Sequence, residues 1–110
     1  MNNIVINIAK DYTKTPGGRH IVEGEFSGED FRKKILEPKF REFISSNGTM
    51  TVILDGGYGY APSFLEEAFG GLARETKNAK IKDIIIVSEE EPSQIAKIHE
   101  YISKALGEKI

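Results

Sequence analysis

"TVILDGGYGYAPSFLEEAFGGL", Thr51 to Leu72, decides how the chain is read. With Met50 before it, the run to Asp55 is continuous, rich in β-branched residues and closed by Gly56, the pattern of a buried strand. From Ser63 onward, Phe64, Leu65, Ala68, Phe69 and Leu72 recur at helical spacing. Between strand and helix lie two glycine–tyrosine pairs, a proline and a serine. A strand that opens through a loop into a helix is the start of a βαβ unit, whose two strands run parallel. In such folds functional groups gather beyond the carboxyl ends of the strands, where loops meet helix N-termini. Asp55, the loop Gly56 to Pro62, and Ser63 stand in that position.

Working outward, "DIIIVS" (Asp83 to Ser88) reads as the next strand, central in the sheet and parallel to the first. The helix between them, Ser63 to Thr76, carries Gly70-Gly71 in its body. Each glycine costs about 1 kcal/mol against alanine in an exposed helix, so the pair points to a backbone or partner approaching closely, or to a weak helix. Upstream, "IVINIA" (Ile4 to Ala9) alternates with strand period. Turn residues Pro16, Gly17 and Gly18 follow, then His20 to Gly24 as a short strand, most simply a hairpin partner of the first. Ser27 is a good N-cap with Asp30 three residues on. Phe31, Ile35, Leu36, Phe40, Phe43 and Ile44 form one helical stripe, interrupted by Pro38, which predicts a kink or two short helices. Asn47-Gly48 closes that element. The chain ends in a helix with Pro92 near its start and Ile95, Ile98, Ile102 and Leu106 facing the core. The expected fold is α/β: a small mixed β-sheet of about four strands, an opening antiparallel hairpin plus a parallel βαβ unit, with helices, in one domain over residues 1–110.

The composition narrows the function classes. The chain has 110 residues, a formal net charge of −2, no cysteine and two histidines. Absence of cysteine excludes disulfides, thiol catalysis and cysteine-ligated zinc, and two histidines exclude a histidine-rich metal site. The mixed charge lacks the positive excess of a nucleic-acid binder. The N-terminal stretch lacks a basic start and a continuous apolar core, and no apolar run approaches the roughly 18 residues of a membrane span. A cytoplasmic domain without cofactor or metal is expected.

Three chemistries are open to the glycine–tyrosine loop. It lacks the lysine and threonine of a phosphate-binding loop, and Pro62 breaks the dinucleotide pattern of glycines. Ser63 sits in "APSFL", not in the G-x-S-x-G of a hydrolase. A regulatory phosphoacceptor fits better, because the start of a helix favours added negative charge. The plainer reading makes Ser63 and Glu66 a capping box worth roughly 0.5–2 kcal/mol. Gly17, Gly18 and Arg19 read either as hairpin turn or as an anion-binding nest.

The phrases "SGEDFRKKIL" and "VILDGGYGYAPSFLEEAFGGLAR" resemble the STAS-like domain family of unknown function, a branch near the bacterial anti-sigma-factor antagonists. In the broader STAS family a strand ending in aspartate leads to a loop and "DSSGL", whose second serine is phosphorylated by a kinase. The resemblance aligns Asp55 with the strand-end aspartate, Ser63 with the phosphoacceptor and Leu65 with the leucine. Ala61, Pro62 and Phe64 stand where that pattern has an acid, a serine and a glycine. The resemblance implies a partner-switching regulatory domain rather than an enzyme, with an ATPase or kinase-type regulator as protein partner. Asp55, Tyr58, Tyr60, Phe64, Glu66 and Glu67 are then the partner-binding candidates, aromatics carrying a large share of interface energy; Phe64 and Phe69 read equally as core. The alternatives are an unphosphorylated binding module using the Tyr58/Tyr60 loop, and a small-molecule or nucleotide binder drawing on Asp55 and Arg19.

Overall fold

A computed structural model describes residues 3–108. Period-two alternation at the start of the chain gives β1 (Asn3–Asn7), with Ile4 and Ile6 buried and Val5 on the opposite face. A single helical turn, α1 (Ile8–Asp11), is capped by Asn7, whose side chain accepts from the Lys10 N–H. The β-branched runs form β2 (Thr49–Ile53) and β3 (Ile85–Val87). Among the described residues the sheet has three strands in the order β1-β2-β3, both pairs parallel, with Val5 beside Thr51 and Thr51 beside Ile85.

Two expectations are corrected here. His20 to Gly24 is no strand, and there is no opening hairpin: Ile21–Glu23 is one exposed 3-10 turn, with Val22 91% exposed. Side chains take the N–H groups that a ladder would need. Glu23 Oε1 accepts from the N–H of Arg19 and of His20, at 2.9 and 2.7 Å, and Glu29 Oε1 accepts from the Ile21 N–H at 2.9 Å. Such local bonds compete with sheet formation. The strand in "DIIIVS" is also an edge strand, not the central one; β2 holds the centre.

Three helices fill the intervals. Helix α2 spans residues 28–44 as an α segment Gly28–Phe31, a π turn Arg32–Leu36 and an α segment Glu37–Ile44. Ser27 caps it, accepting from the Asp30 N–H at 3.0 Å. The wide turn stands immediately ahead of Pro38, so the helix continues past the ring instead of breaking there. Helix α3 spans residues 62–76, again with a π turn, Glu66–Gly70, between Pro62–Leu65 and Gly71–Thr76. Helix α4 is Ser93–Ala105. Right-handed crossovers between consecutive parallel strands put α2 and α3 on one side of the sheet, and α4 packs against α3. Ile4, Ile6, Met50, Val52 and Ile86 pack there with Phe31, Phe40, Phe64 and Phe69, whereas Val5 and Ile85 on the other face are 57% and 48% exposed.

Where α2 crosses α3, the two π turns meet around buried charge. Arg32, only 5% exposed, donates from its NH2 group to Glu67 Oε2 at 3.1 Å and lies 3.5 Å from Glu37 Oε1. Glu67 is also within 3.6 Å of Arg19 and 3.7 Å of Arg74. Glu66 accepts from Arg74 at 2.6 Å and from Arg19. This arrangement explains Gly70-Gly71. A Cβ at Gly71 would lie 2.8 Å from Arg32 Nε, and one at Gly70 would lie 2.4 Å from Glu66 Oε2. The close approach inferred from sequence is made by the chain's own charged side chains.

Two outcomes follow from this crossing. Gly71→Ala lowers stability by about 1–3 kcal/mol through overpacking, although alanine is the better helix former by about 1 kcal/mol. In an Arg32→Ala, Glu67→Gln background the same change becomes neutral or stabilising; denaturant unfolding of the four proteins measures both, and equal penalties in the two backgrounds refute this account of the glycine. The second outcome concerns acid. Arg74, then Arg19, hold the Glu66 carboxyl below the ordinary range, and the Ile21 N–H, then Lys33, hold Glu29 at about 2. A depressed carboxyl contributes stability above its unfolded value and loses it as pH falls through its folded value. Stability therefore declines from the ordinary glutamate range near about 4.3 down to pH about 2. Glu29→Gln and Glu66→Gln each lower stability at neutral pH and flatten that decline; an unchanged acid slope contradicts the assignment.

Candidate functional site

The chain leaves β2 through Leu54, whose N–H donates to Val87 O at 2.8 Å, and reaches Asp55. The Asp55 carboxylate accepts from the Glu89 and Glu90 N–H groups, both at 2.9 Å, while Glu90 Oε1 accepts from the Gly56 N–H at 2.9 Å. These reciprocal bonds clasp the loops that follow β2 and β3. Gly56 and Gly59 have φ of 98° and 114°, conformations that side chains rarely adopt. That requirement is why glycines alternate with tyrosines in the loop.

The two tyrosines fare differently. Tyr58 is pinned by its backbone, its N–H donating to Lys14 O at 2.9 Å, while the residue as a whole is 84% exposed. Tyr60 is half-buried; its ring lies 5.7 Å from that of Phe64 and its hydroxyl donates to Leu54 O at 2.8 Å. Burial, then the charges of Asp55 and Glu90, push the Tyr60 hydroxyl up to about 12.

Ser63 is the second residue of α3. Ala61 is the N-cap and Pro62 the first helical residue, and no side chain caps this end. The capping-box reading of Ser63 and Glu66 is therefore corrected: Glu66 turns away to Arg74 and Arg19. Ser63 is half-buried, one turn ahead of Glu66 and Glu67. Phe64, proposed as an anchor, is fully buried and stacks on Phe31 with centroids 5.9 Å apart, so it belongs to the core, as does Phe69. Glu67, 7% exposed and held by Arg32, is likewise withdrawn from a partner's reach. Gly28 packs so tightly against α3 that a Cβ there would stand 2.4 Å from Phe64 O.

At the Gly17-Gly18-Arg19 stretch the Gly17 N–H donates to Phe26 O at 2.9 Å, and the N–H groups that meet a carboxylate are those of Arg19 and His20. The Arg19 and His20 N–H groups converge on the Glu23 carboxylate, lowering its pKa, and the Arg19 guanidinium goes to Glu66. No external anion is called for.

Sequence reasoning missed the far wall of the rim. A recess of about 230 Å³ opens between the two clasped loops, lined by Asp55, Tyr58 and Tyr60 on one side and Ser88, Glu90 and Gln94 on the other. "SEEEP" follows β3 as "GGYGY" follows β2, and that positional equivalence was the available signal. Among the described residues no cluster of histidine and carboxylate side chains could hold a metal ion, and no helix is long and apolar enough to cross a membrane.

A model of the family described as STAS-like domain of unknown function matches residues 27–94. No curated protein and no solved structure gives a significant match. The matched segment runs from the cap of α2 into the first turn of α4, and holds β2, α3, β3 and the rim between them. The chain belongs to the family of STAS-like domains of unknown function.

Proposed function

We propose that this domain is a protein-interaction module of the partner-switching type, not an enzyme, and that phosphate on Ser63 controls its contact with a kinase-type ATPase regulator. The observation that carries this reading is the placement of Ser63, half-buried at the start of α3, beyond the strand-end Asp55 and without a capping role that would occupy its hydroxyl. A side chain committed to the core could not report its chemical state to another macromolecule; this one is only half-buried, at the start of α3. Phosphate brings about −1.5 to −2 charge units at neutral pH. That charge arrives one turn ahead of Glu66 and Glu67, whose own charges are met by Arg19 and Arg74. The contact with a partner is weakened by repulsion and by the cost of desolvating the phosphate.

A second reading, an unphosphorylated binding module, is favoured by one observation, the 84% exposure of Tyr58 on a glycine-rich loop. Buried aromatic anchors of interfaces begin as exposed aromatics on the free protein.

The two readings separate by mutation and mass. Incubated with the regulator and ATP, the wild-type domain gains one phosphate by intact mass and Ser63→Ala gains none. Ser63→Glu binds the regulator at least tenfold more weakly, a change of about 1.4 kcal/mol. Absence of serine-dependent phosphate, together with unchanged affinity of Ser63→Glu, rules out the switch. If Tyr58→Ala then abolishes binding while Ser63→Ala leaves it intact, the second reading stands.

A further inference from the structure

Three arginines meet the adjacent carboxylates Glu66 and Glu67, and they are not equally held. Arg32 is 5% exposed and belongs to the helix crossing. Arg74 stands in the last turn of α3, about 16 Å along the helix from Ser63. Arg19 comes from the loop before α2, and its side chain is 35% exposed. Its departure strands no charge. Glu66 keeps Arg74 at 2.6 Å, and Glu67 keeps Arg32 at 3.1 Å and Arg74 at 3.7 Å. Arg19 also lies along the turn that begins at Ser63. The Gly28 N–H donates to Gly18 O and the Glu29 N–H to Arg19 O, both at 2.9 Å, and Gly28 packs on the Phe64 carbonyl. The Arg19 backbone is thereby tied to residues packed beside Phe64, while its guanidinium meets Glu66 and Glu67. By spacing, Ser63 shares a helix face with both carboxylates.

A second observation concerns Arg32 Nε, a buried donor without a partner among the described residues. Glu67 offers Arg32 one oxygen only: Oε2 takes its NH2 group, whereas Oε1 faces Arg19 and Arg74. A guanidinium and a carboxylate pair best through two parallel bonds. The network therefore holds one bond in reserve, and Arg19 on Oε1 helps to withhold it. Both carboxylates sit in the π turn of α3, a local geometry frequent at functional sites.

We propose that Arg19 is the exchangeable cation of this network: phosphate on Ser63 draws its guanidinium from Glu66 and Glu67, Glu67 Oε1 turns to Arg32 Nε, and the loop bearing Arg19 moves with it. The proposal rests on the Ser63 reading above and names the residue through which the serine's state reaches the loop. A phosphate carries more charge than a carboxylate and three strong acceptor oxygens, and a guanidinium matches it in a bidentate pair. The Arg19 backbone transmits the change. The Arg19 and His20 N–H groups are tied to Glu23, so a shift at Arg19 passes to the neighbouring Ile21 and Val22, which are 49% and 91% exposed.

Phosphoserine encoded genetically at position 63 of the isotope-labelled full chain tests this without kinase or regulator. Against the unmodified chain, the Arg32 Nε–H resonance is expected to move downfield and gain protection from exchange, and the Ile21 and Val22 amides to shift. Phosphorus resonances followed through pH give the phosphate's second ionisation. In the phosphorylated chain Arg19→Gln lowers that ionisation constant by about twofold to fivefold and abolishes the phosphate-dependent shifts of Ile21 and Val22. Arg19→Lys restores part of the ionisation, because an ammonium supplies the charge without the fork. Arg74→Gln changes the ionisation less and leaves the loop response in place. The proposal is overturned if phosphate leaves the Arg32 Nε–H and the Ile21 and Val22 amides where they were, or if Arg74→Gln matches Arg19→Gln in both readouts. Failure of the regulator to phosphorylate Ser63 removes the switch reading and leaves these measurements intact. Failure of Arg19 to respond leaves that reading standing on repulsion alone.

Discussion

The ion pair between Arg32 and Glu67 is the constraint on which the rest of the molecule turns. Both groups are almost wholly removed from water, at 5% and 7% exposure. Taking two charges out of water costs several kcal/mol per ion, and their attraction recovers this only when the geometry is good and further partners are present. Those partners are supplied: Glu37 beside Arg32, and Arg19 and Arg74 around Glu67. Such a pair contributes less to net stability than to register, because a slip of either helix strands a buried charge. Arg32 Nε nonetheless finds no acceptor, so the crossing is tight rather than fully satisfied. The space it occupies is the space that Gly71 leaves open.

Register at that crossing sets the rim. With α2 fixed on α3, Phe31 stacks on Phe64, Gly28 meets the Phe64 carbonyl, and the first turn of α3 is held at the edge of β2. Ser63 is then carried to the surface one position ahead of a buried ring. On the other side Asp55 ties the loop after β2 to the loop after β3. Two attachments, one ionic and one by carboxylate-to-backbone bonds, therefore flank a glycine loop that is itself pinned at Tyr58 by its bond to Lys14.

How much of this was legible in the chain depended on the range of the interactions. The β2–α3–β3–α4 succession could be read from residues near one another: β-branched runs end at glycine or serine, and helical stripes fill the intervals. The segment His20 to Gly24 has the composition of a strand, but Glu23 and Glu29 take its N–H groups, and nothing in "HIVEG" alone announces bonds to a carboxylate eight residues on. Glu66 looked like a capping partner for Ser63 by spacing. Its real partners, Arg19 and Arg74, come from a distant loop and from the helix's own last turn. Phe64 looked accessible because it stands beside the loop, and only the approach of Phe31 removes it. The positions of the rim aspartate and of the serine at the helix start were readable, because position after a strand is a local property; the half-burial of that serine was not. Gln94 and Glu90 were not, because they become neighbours of the tyrosines only once two parallel strands lie side by side.

The turn at Arg19 and His20 has a further meaning. Its backbone donors close on Glu23 from the same loop, so the segment supplies its own counter-ion. It therefore needs no dissolved phosphate, sulfate or chloride to close the turn. The donors behind the exposed tip at Val22 are thus already filled, and a dissolved anion finds none of them free.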